Sequence, residues 1–260
     1  GDALDYNRYN VRSNLNAQLT KNLRVSVKLS GMIDDREGNS KDSWEIFKNL
    51  WRSAPDDPLY ANNTAPYYQK PQSSDDNPLA LIDTDLIGFK KRGNKLFQSS
   101  FEGEYTIPKV QGLKVRGMFS YDTKENDETT WNKEYNLYTY NAAADSYVAA
   151  SRLGPTQLRR THNSSWSTLW QAAISYDNTF SGHHVSGLML YEEAHNVGDN
   201  LWAQRNFSIP LPYLFAGDSK EQVGMANANG LSESASKGLI GKFNYDYKGR
   251  YLAEFSFRYD

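Results

Sequence analysis

Apolar and polar residues alternate one by one along eight segments of this chain, and the segments fall into four pairs. Alternation with a period of two is typical of β-strands that have one apolar and one polar face. Short links of turn-forming residues join the two segments of each pair, at residues 21–22, 108–112, 178–182 and 248–250. A short link between alternating segments predicts a β-hairpin. The pattern therefore predicts an all-β chain of about eight antiparallel strands.

The connections between one hairpin and the next are long. They are rich in aromatic, proline and asparagine residues and cover residues 35–95, 123–162 and 193–236. In the first connection, Asp42 or Ser43 can cap a short helix that we expect to end before Pro55. The helix is expected to bury one face, which carries Trp44, Phe47 and Trp51.

Charged residues occupy the polar face of the first two hairpins, at Arg24, Lys28, Glu102, Glu104, Lys114 and Arg116. The two acids are expected to pair with the two cations of the following strand. The apolar face carries tyrosines near the short turns, at Tyr105, Tyr176, Tyr245, Tyr247 and Tyr251. Amphipathic rings beside short turns resemble one interfacial girdle of an outer-membrane barrel, whose polar face borders a wet lumen. We interpret the chain as an antiparallel transmembrane β-barrel segment with short periplasmic turns and long extracellular loops.

The composition excludes several other classes of protein and agrees with a β-barrel segment. The 260 residues contain no run of about 18 apolar residues, so no transmembrane helix is expected. A formal charge of −2 without a basic run argues against a nucleic-acid partner. The chain has no cysteine, which removes disulfides and thiolate ligands.

Four stretches of the sequence carry a family resemblance: YNRYNVRSNLNAQLTKNLRVSVKLSG, WEIFKNLWRSAPDDPLYANN, NPLA at Asn77 to Ala80, and KGLIGKFNYDYKGRYLAEFSFRYD. Together they resemble the SusC/RagA family of TonB-linked outer-membrane transporters of Bacteroidetes. The resemblance covers nearly the whole chain and is most specific at its C-terminal end. It depends on the ordered set of stretches, because no single motif is diagnostic.

The resemblance implies a barrel of 22 strands with an N-terminal plug, in contact with outer-membrane lipid. Residues 1–260 would form part of that barrel, and we expect the plug and the remaining strands to be absent. The resemblance also implies import of oligosaccharides or peptides across the cell outer membrane. A SusD-like surface lipoprotein would close the extracellular mouth, and TonB–ExbB–ExbD would supply energy through the plug. No cofactor is implied.

No group of residues predicts catalysis or a metal site, so we expect no enzymatic activity. His183 and His184 are adjacent and point to opposite faces of a strand, and the pairs Asp56–Asp57 and Asp75–Asp76 lack calcium-loop spacing. We interpret both acidic pairs as solvated loop carboxylates. The candidates for contact with a substrate or a lid are aromatic residues of the long connections: Trp131, Tyr135, Tyr138, Tyr140 and Trp202.

Two other functions stay open from the residues alone. One is a small, self-contained outer-membrane barrel with an adhesin or structural role, although loops of about 40 residues are heavy for so narrow a barrel. The other is a secreted glycan-binding β-protein, which would dissolve without detergent.

Overall fold

The alternating segments form long strands that pair side by side in one antiparallel sheet. The computed structural model describes residues 4–152, 154–225 and 230–260. In chain order the strands are β1 (Asp5–Gln18), β2 (Leu23–Asn39), β3 (Gly88–Thr106), β4 (Leu113–Asn132), β5 (Tyr135–Asn141), β6 (Ser146–Arg152), β7 (Gln157–Phe180), β8 (His183–Asn206), β9 (Val223–Gly224), β10 (Ser232–Tyr247) and β11 (Tyr251–Tyr259). The sheet order is β1-β2-β3-β4-β7-β8-β10-β11, with β9 beside β8, while β5 and β6 form a separate hairpin.

The turns at the short-link end have the geometry that strand twist requires. Between β7 and β8, Ser181 and Gly182 have φ angles of 51° and 83°, and between β10 and β11, Lys248 and Gly249 have φ angles of 51° and 66°. Positive φ at both central residues is characteristic of the type I′ turn, which matches the right-handed twist of the flanking strands. Glycine adopts this conformation without steric cost. All four predicted hairpins are confirmed.

The strands extend further from the turns than the alternation predicted. β4 continues to Asn132, β7 and β8 contain 24 residues each, and β10 begins at Ser232. Polar residues occupy both faces of these extensions, so a period-two pattern cannot reveal them. The connections are therefore shorter than predicted, and residues 226–229 of the third connection lie outside the described residues. Trp131 and Trp202 belong to β4 and β8, not to loops.

The apolar face of the sheet begins at the turns and ends at a sharp boundary. On β4 its residues run from Leu113 to Thr123, and the next two positions of the same face are Glu125 and Asp127. The ten residue steps of that stretch, at about 3.3 Å each, span roughly 33 Å along the strand. A strand tilt of about 40° reduces this length to ~25 Å along a barrel axis, which is the height of the apolar band on outer-membrane barrels.

The first long connection folds against the β5–β6 hairpin. It contains the helices α1 (Ser43–Arg52) and α2 (Thr84–Ile87) and short 3-10 turns at Ala61–Asn63 and Ala80–Ile82. A buried cluster joins the two segments through Ala80, Ile87, Tyr135 and Leu137. Main-chain hydrogen bonds link Tyr68 and Lys70 to Tyr138, each at 2.8 Å. The loop is thus an ordered unit with its own small core.

One buried asparagine organises the backbone of this unit. The Asn77 side chain, which is 2% exposed, donates to the carbonyl oxygens of Leu59 and Gln69, both at 2.9 Å. Its own oxygen accepts from the amides of Leu79 and Ala80 at 3.0 and 3.2 Å. Since buried backbone groups need partners, the asparagine of the NPLA motif has a structural role here.

The helix α1 begins where the sequence predicts. Asp42 caps it by accepting a hydrogen bond from the Glu45 amide at 2.9 Å, and the helix ends at Arg52, before Pro55. Across the described ranges, none of the helices combines the length and the apolar character that crossing a membrane demands.

The orientation of α1 is the reverse of the expected one. Its polar side faces inward, because Asn49 is fully buried and accepts a hydrogen bond from the Asp76 amide at 2.8 Å. Trp44, Phe47 and Trp51 are 73%, 66% and 91% exposed. The expectation that these three side chains pack the helix onto the loop is wrong. Hydrogen bonding of Asn49 to the loop backbone decides which face lies inside.

The hydrogen bonds of Asn77 predict the cost of removing its side chain. We expect Asn77→Ala to remove four hydrogen bonds to the loop backbone, including the one donated by the amide of the buried Ala80, and to lower the free energy of local opening by about 3 kcal/mol. Amide hydrogen exchange in residues 59–80 should then accelerate about a hundredfold. Asn136→Ala, at an exposed position of β5, is the matched control. Unchanged exchange in the Asn77 variant would contradict the structural role.

Candidate functional site

The six charged residues predicted for the wall lie together on the polar face of β2, β3 and β4. In the register, Arg24 lies opposite Glu104, and Glu104 lies opposite Arg116. The Lys114 Nζ is 3.3 Å from a carboxylate oxygen of Glu104, and Arg116 Nη1 is 3.6 Å from Glu102. The predicted ion pairing between the strands is confirmed. Contact of these side chains with a lumen stays a prediction.

A row of one carboxylate and four side-chain amides crosses five strands of the polar face. Its members occupy directly opposite positions on β2, β3, β4, β7 and β8 and are Asp34, Asn94, Asn126, Asn163 and Asn200. Asn94 donates to Asp34 at 2.7 Å, Asn126 to Asn94 at 2.8 Å and Asn163 to Asn126 at 3.1 Å. Asn200 donates to Asn163. We call these residues the asparagine row.

Hydrogen bonds of the asparagine row all run in one direction. Each amide donates towards β2, and the last acceptor is the carboxylate of Asp34, which is only 8% exposed. Bonds in such a chain polarise one another, and an ionised acceptor strengthens the first of them. A slip of one residue would send an asparagine to the opposite face, so the row also fixes the register of the strands.

Sequence reasoning missed the asparagine row, although a signal was present. Asn94 and Asn126 lie equally far from the centre of the turn between β3 and β4, and Asn163 and Asn200 lie equally far from Ser181 and Gly182. Counting outward from each turn would have placed both pairs opposite one another.

The polar face is concave on the turn side of the asparagine row. A depression of about 610 Å³ lies across β1, β2, β3 and β4. Arg12 and Lys28 flank it on the β1–β2 side, and Asp122 lies on the β4 side. Small side chains leave this space open and form the floor, at Ser30, Ser100 and Ser120. Hydroxyl and charged groups of this kind can bind a polar ligand by hydrogen bonds.

Two of the predicted contact aromatics are buried in the loop region. Trp131 and Tyr135 are each 3% exposed. Trp131 packs with Leu158 and Phe207, edge to face with the latter ring at a centroid distance of 5.0 Å. Tyr135 donates a hydrogen bond to Asp76 at 2.6 Å. Burial leaves little of either ring for a substrate or a lid.

The other three predicted aromatics are half-buried and have aromatic or cationic neighbours. Tyr138 meets Tyr67 edge to face at 5.1 Å between centroids, and Tyr140 lies 5.2 Å from Tyr147. The guanidinium of Arg159 lies 4.1 Å from the Trp202 ring centre, which is a cation–π contact. Contact of these three rings with a substrate or a lid stays a prediction.

Two loop tyrosines are held as neutral hydrogen-bond donors by neighbouring carboxylates. Burial, and then the hydrogen bond that Tyr68 donates to Asp83 at 2.6 Å, raise the pKa of Tyr68. The hydrogen bond from Tyr140 to Asp145, also at 2.6 Å, raises the pKa of Tyr140. Both phenols therefore stay protonated and link loop segments.

The predicted solvated carboxylates of the first loop are more structured than expected. Asp76 is 6% exposed and accepts the Tyr135 hydrogen bond, so its description as a solvated side chain is wrong. Asp57 accepts a hydrogen bond from the Ser73 hydroxyl at 2.6 Å, which lowers the pKa of Asp57. Asp75 pairs with Arg52 at 3.1 Å. These contacts join residues 52–57 of the loop to residues 73–75, and they join Asp76 to β5.

The histidines pair with single acidic or phenolic side chains. His162 is 2.8 Å from Asp127, and His195 is 2.8 Å from Glu233. His183 and His184 lie on opposite faces of β8, as predicted, and the first of them contacts the Tyr245 hydroxyl at 2.7 Å. Within residues 4–152, 154–225 and 230–260, no three His, Asp or Glu side chains are placed to hold a metal ion.

The chain is similar to TonB-dependent receptors in both sequence and structure. It is 24% identical over 265 aligned residues to TonB-dependent receptor P3 of Formosa agariphila. Structures of the RagAB peptide importer in its open-open and closed-closed states match 98% of the chain, with TM-scores of 0.70 and 0.67 at 16% and 17% identity. This chain has the fold of a TonB-dependent transporter barrel section. The resemblance to the SusC/RagA transporters is confirmed at the level of fold. No protein-family model matches the sequence.

The match involves only a part of each matched protein. The chain spans 24% of the length of the Formosa receptor and 27% of the first RagAB chain. The matched proteins are described as a receptor and an importer, not as enzymes.

The asparagine row predicts a mutational effect in the middle of the wall. We expect Asn126→Leu to interrupt the row, to leave Asn94 and Asn163 each without one bond, and to destabilise the sheet by about 1–2 kcal/mol. The temperature at which the folded form loses its heat-modifiable mobility on gels should fall. Asn196→Leu, on the same face of β8 and outside the row, is the control. An equal shift for both variants would show that the row has no special effect.

Proposed function

We propose that residues 1–260 form part of the barrel of an outer-membrane importer of nutrients. The observation that carries this proposal is the sharp end of the apolar face, which gives a band of about 25 Å. A soluble sheet would cover such a face with a second layer of protein. On the apolar face, Phe255 is 62% exposed and Phe243 is 43% exposed. In the proposed protein these rings contact lipid, and the polar face borders the lumen.

The substrate and the partner follow from the RagAB likeness and from the sequence resemblance. We infer that the importer takes up peptides and that a SusD-like surface lipoprotein covers its extracellular mouth. Oligosaccharides are the alternative substrate. Energy comes from TonB–ExbB–ExbD through a plug formed by another part of the same protein. The residues of this chain bind and guide the substrate, and no covalent bond is made or broken by them.

A transport experiment tests this function directly. Deletion of the parent gene should abolish uptake of labelled short peptides by intact cells, and the full-length gene should restore uptake. Deletion of a neighbouring lipoprotein gene should reduce uptake at low peptide concentration. Unchanged peptide uptake together with lost oligosaccharide uptake would favour the alternative substrate. Unchanged uptake of both would contradict an importer.

The lipid-facing assignment predicts different effects on the two faces of β11. Phe257 lies on the apolar face opposite Gly241, and Ser256 lies on the polar face opposite Lys242. We expect Phe257→Arg to cost about 2–4 kcal/mol in the parent protein, because a charge near the membrane midplane is poorly solvated. The variant should lose heat-modifiable mobility.

Ser256→Arg is the control for this prediction, since its side chain would enter an aqueous space. We expect it to assemble normally. Equal assembly of both variants would contradict the assignment of the apolar face to lipid.

A further inference from the structure

Charges on β1 to β4 are divided unequally between the two faces of the sheet. By strand register, the polar face carries ten cations, at Arg8, Arg12, Arg24, Lys28, Arg36, Lys90, Arg92, Lys114, Arg116 and Lys124. It carries five acids, at Asp34, Glu102, Glu104, Asp122 and Glu128. The apolar face of the same strands carries two cations and five acids, at Lys91, Lys95, Asp5, Asp35, Glu37, Glu125 and Asp127. The wall is thus positive although the whole chain has a formal charge of −2.

Most of the excess positive charge has no acidic partner among the described residues. Lys90 and Arg92 share Glu128 at 3.2 and 2.5 Å, and Lys114 and Arg116 pair with β3 acids as described above. In the part of the chain that the structure describes, the other cations of this wall form no ion pair: Arg8, Arg12, Arg24, Lys28, Arg36 and Lys124. These charges are available to a ligand.

Two of the unpaired cations lie at the depression. In the register, Arg12 is opposite Ser30, and Lys28 is opposite Ser100. The two cations therefore occupy neighbouring rows at one end of the serine floor. A guanidinium binds a carboxylate through two parallel hydrogen bonds, and a neighbouring ammonium adds charge. Asp122 lies on β4, at the opposite end of the serine floor from the two cations, and accepts a hydrogen bond from Gln98 at 3.3 Å.

We propose that this depression is a binding site for a peptide carboxylate, with Arg12 and Lys28 as the groups that bind it. The proposal rests on the proposed import of peptides and specifies which group of the substrate the wall recognises. The serine hydroxyls of the floor hydrogen-bond to the peptide backbone. From β1 to β4 the depression crosses three strand spacings, about 14 Å, which suits a segment of about four extended residues.

The lining of the depression favours a peptide over an acidic glycan. None of its lining residues is aromatic, so the site offers no flat ring on which a sugar could stack. Hydroxyl, amide and guanidinium groups match the donors and acceptors of a peptide chain. The carboxylate can come from the C-terminus of the peptide or from an Asp or Glu side chain, and these two sources need separate probes.

A segment of the same protein is the competing occupant of the depression. An acidic residue of a plug could neutralise Arg12 and Lys28 in the full-length protein. In that case, loss of the two cations would disturb the barrel for every substrate alike. A site for a substrate carboxylate would change the discrimination between substrates, so selectivity separates the two roles.

The test measures uptake by cells that express the full-length parent protein. Three labelled tetrapeptides serve as probes: one with neutral side chains and a free C-terminus, its C-terminal amide, and the amide with one internal glutamate. We expect the wild type to prefer the free acid or the glutamate peptide over the neutral amide. The double variant Arg12→Gln, Lys28→Gln should reduce that preference about tenfold, mainly through KM. The preferred carboxylate probe identifies the source of the bound group.

The double variant Arg24→Gln, Arg36→Gln is the matched control, because it removes two unpaired cations of the same face outside the depression. It should keep the wild-type preference. Two results would overturn the carboxylate site: equal uptake of all three probes by the wild type, or an equal loss for all three in the double variant of Arg12 and Lys28. If the wild type takes up no peptide, the proposed import of peptides is contradicted, and the proposed carboxylate site is then contradicted as well.

Discussion

The constraint on which this structure depends is the two-residue period of a β-strand. Every second side chain must face the same way, so a strand that is apolar on one side has its other side free for charges. The 20 residues of β4 serve both faces: Phe119 and Tyr121 belong to the apolar face, while Ser120 and Asp122 line the depression. A slip by one residue would exchange the two surfaces completely. Register is therefore as important to this protein as composition.

Register is set at the turns and maintained along the strands. The type I′ geometry at Gly182 and Gly249 starts two hairpins, and the pairing of β7 with β8 then continues unbroken for 24 residues. Far from the turns, hydrogen bonds between side chains of neighbouring strands help to fix the register. The asparagine row lies 18 residues from the turn on β7, counted from Asn163 to Ser181. Near the turns, ion pairs between β3 and β4 have the same effect.

The hairpins, their order and the ion pairs of Glu102 and Glu104 could be predicted from the sequence, because each depends on neighbours along the chain or across one turn. The orientation of α1 could not. Helical spacing shows that Trp44, Phe47 and Trp51 share a face, but it does not show which face lies inside. That choice depends on Asn49 and on a backbone amide 27 residues away. The extensions of β4 and β8 were missed because both faces are polar there.

The polar side chains of the wall fall into two groups: those with a hydrogen-bond or ion-pair partner within the sheet, and those without one among the described residues. The asparagine row and the paired charges use their hydrogen-bonding capacity across strands, so they stabilise the wall and offer little to a ligand. Among the described residues, Arg12 and Lys28 form no ion pair, and they lie beside a floor of small hydroxyl residues. Cations on a wall repel one another, which costs stability. Their excess on the face proposed to border the lumen therefore supports the proposed binding of a substrate carboxylate.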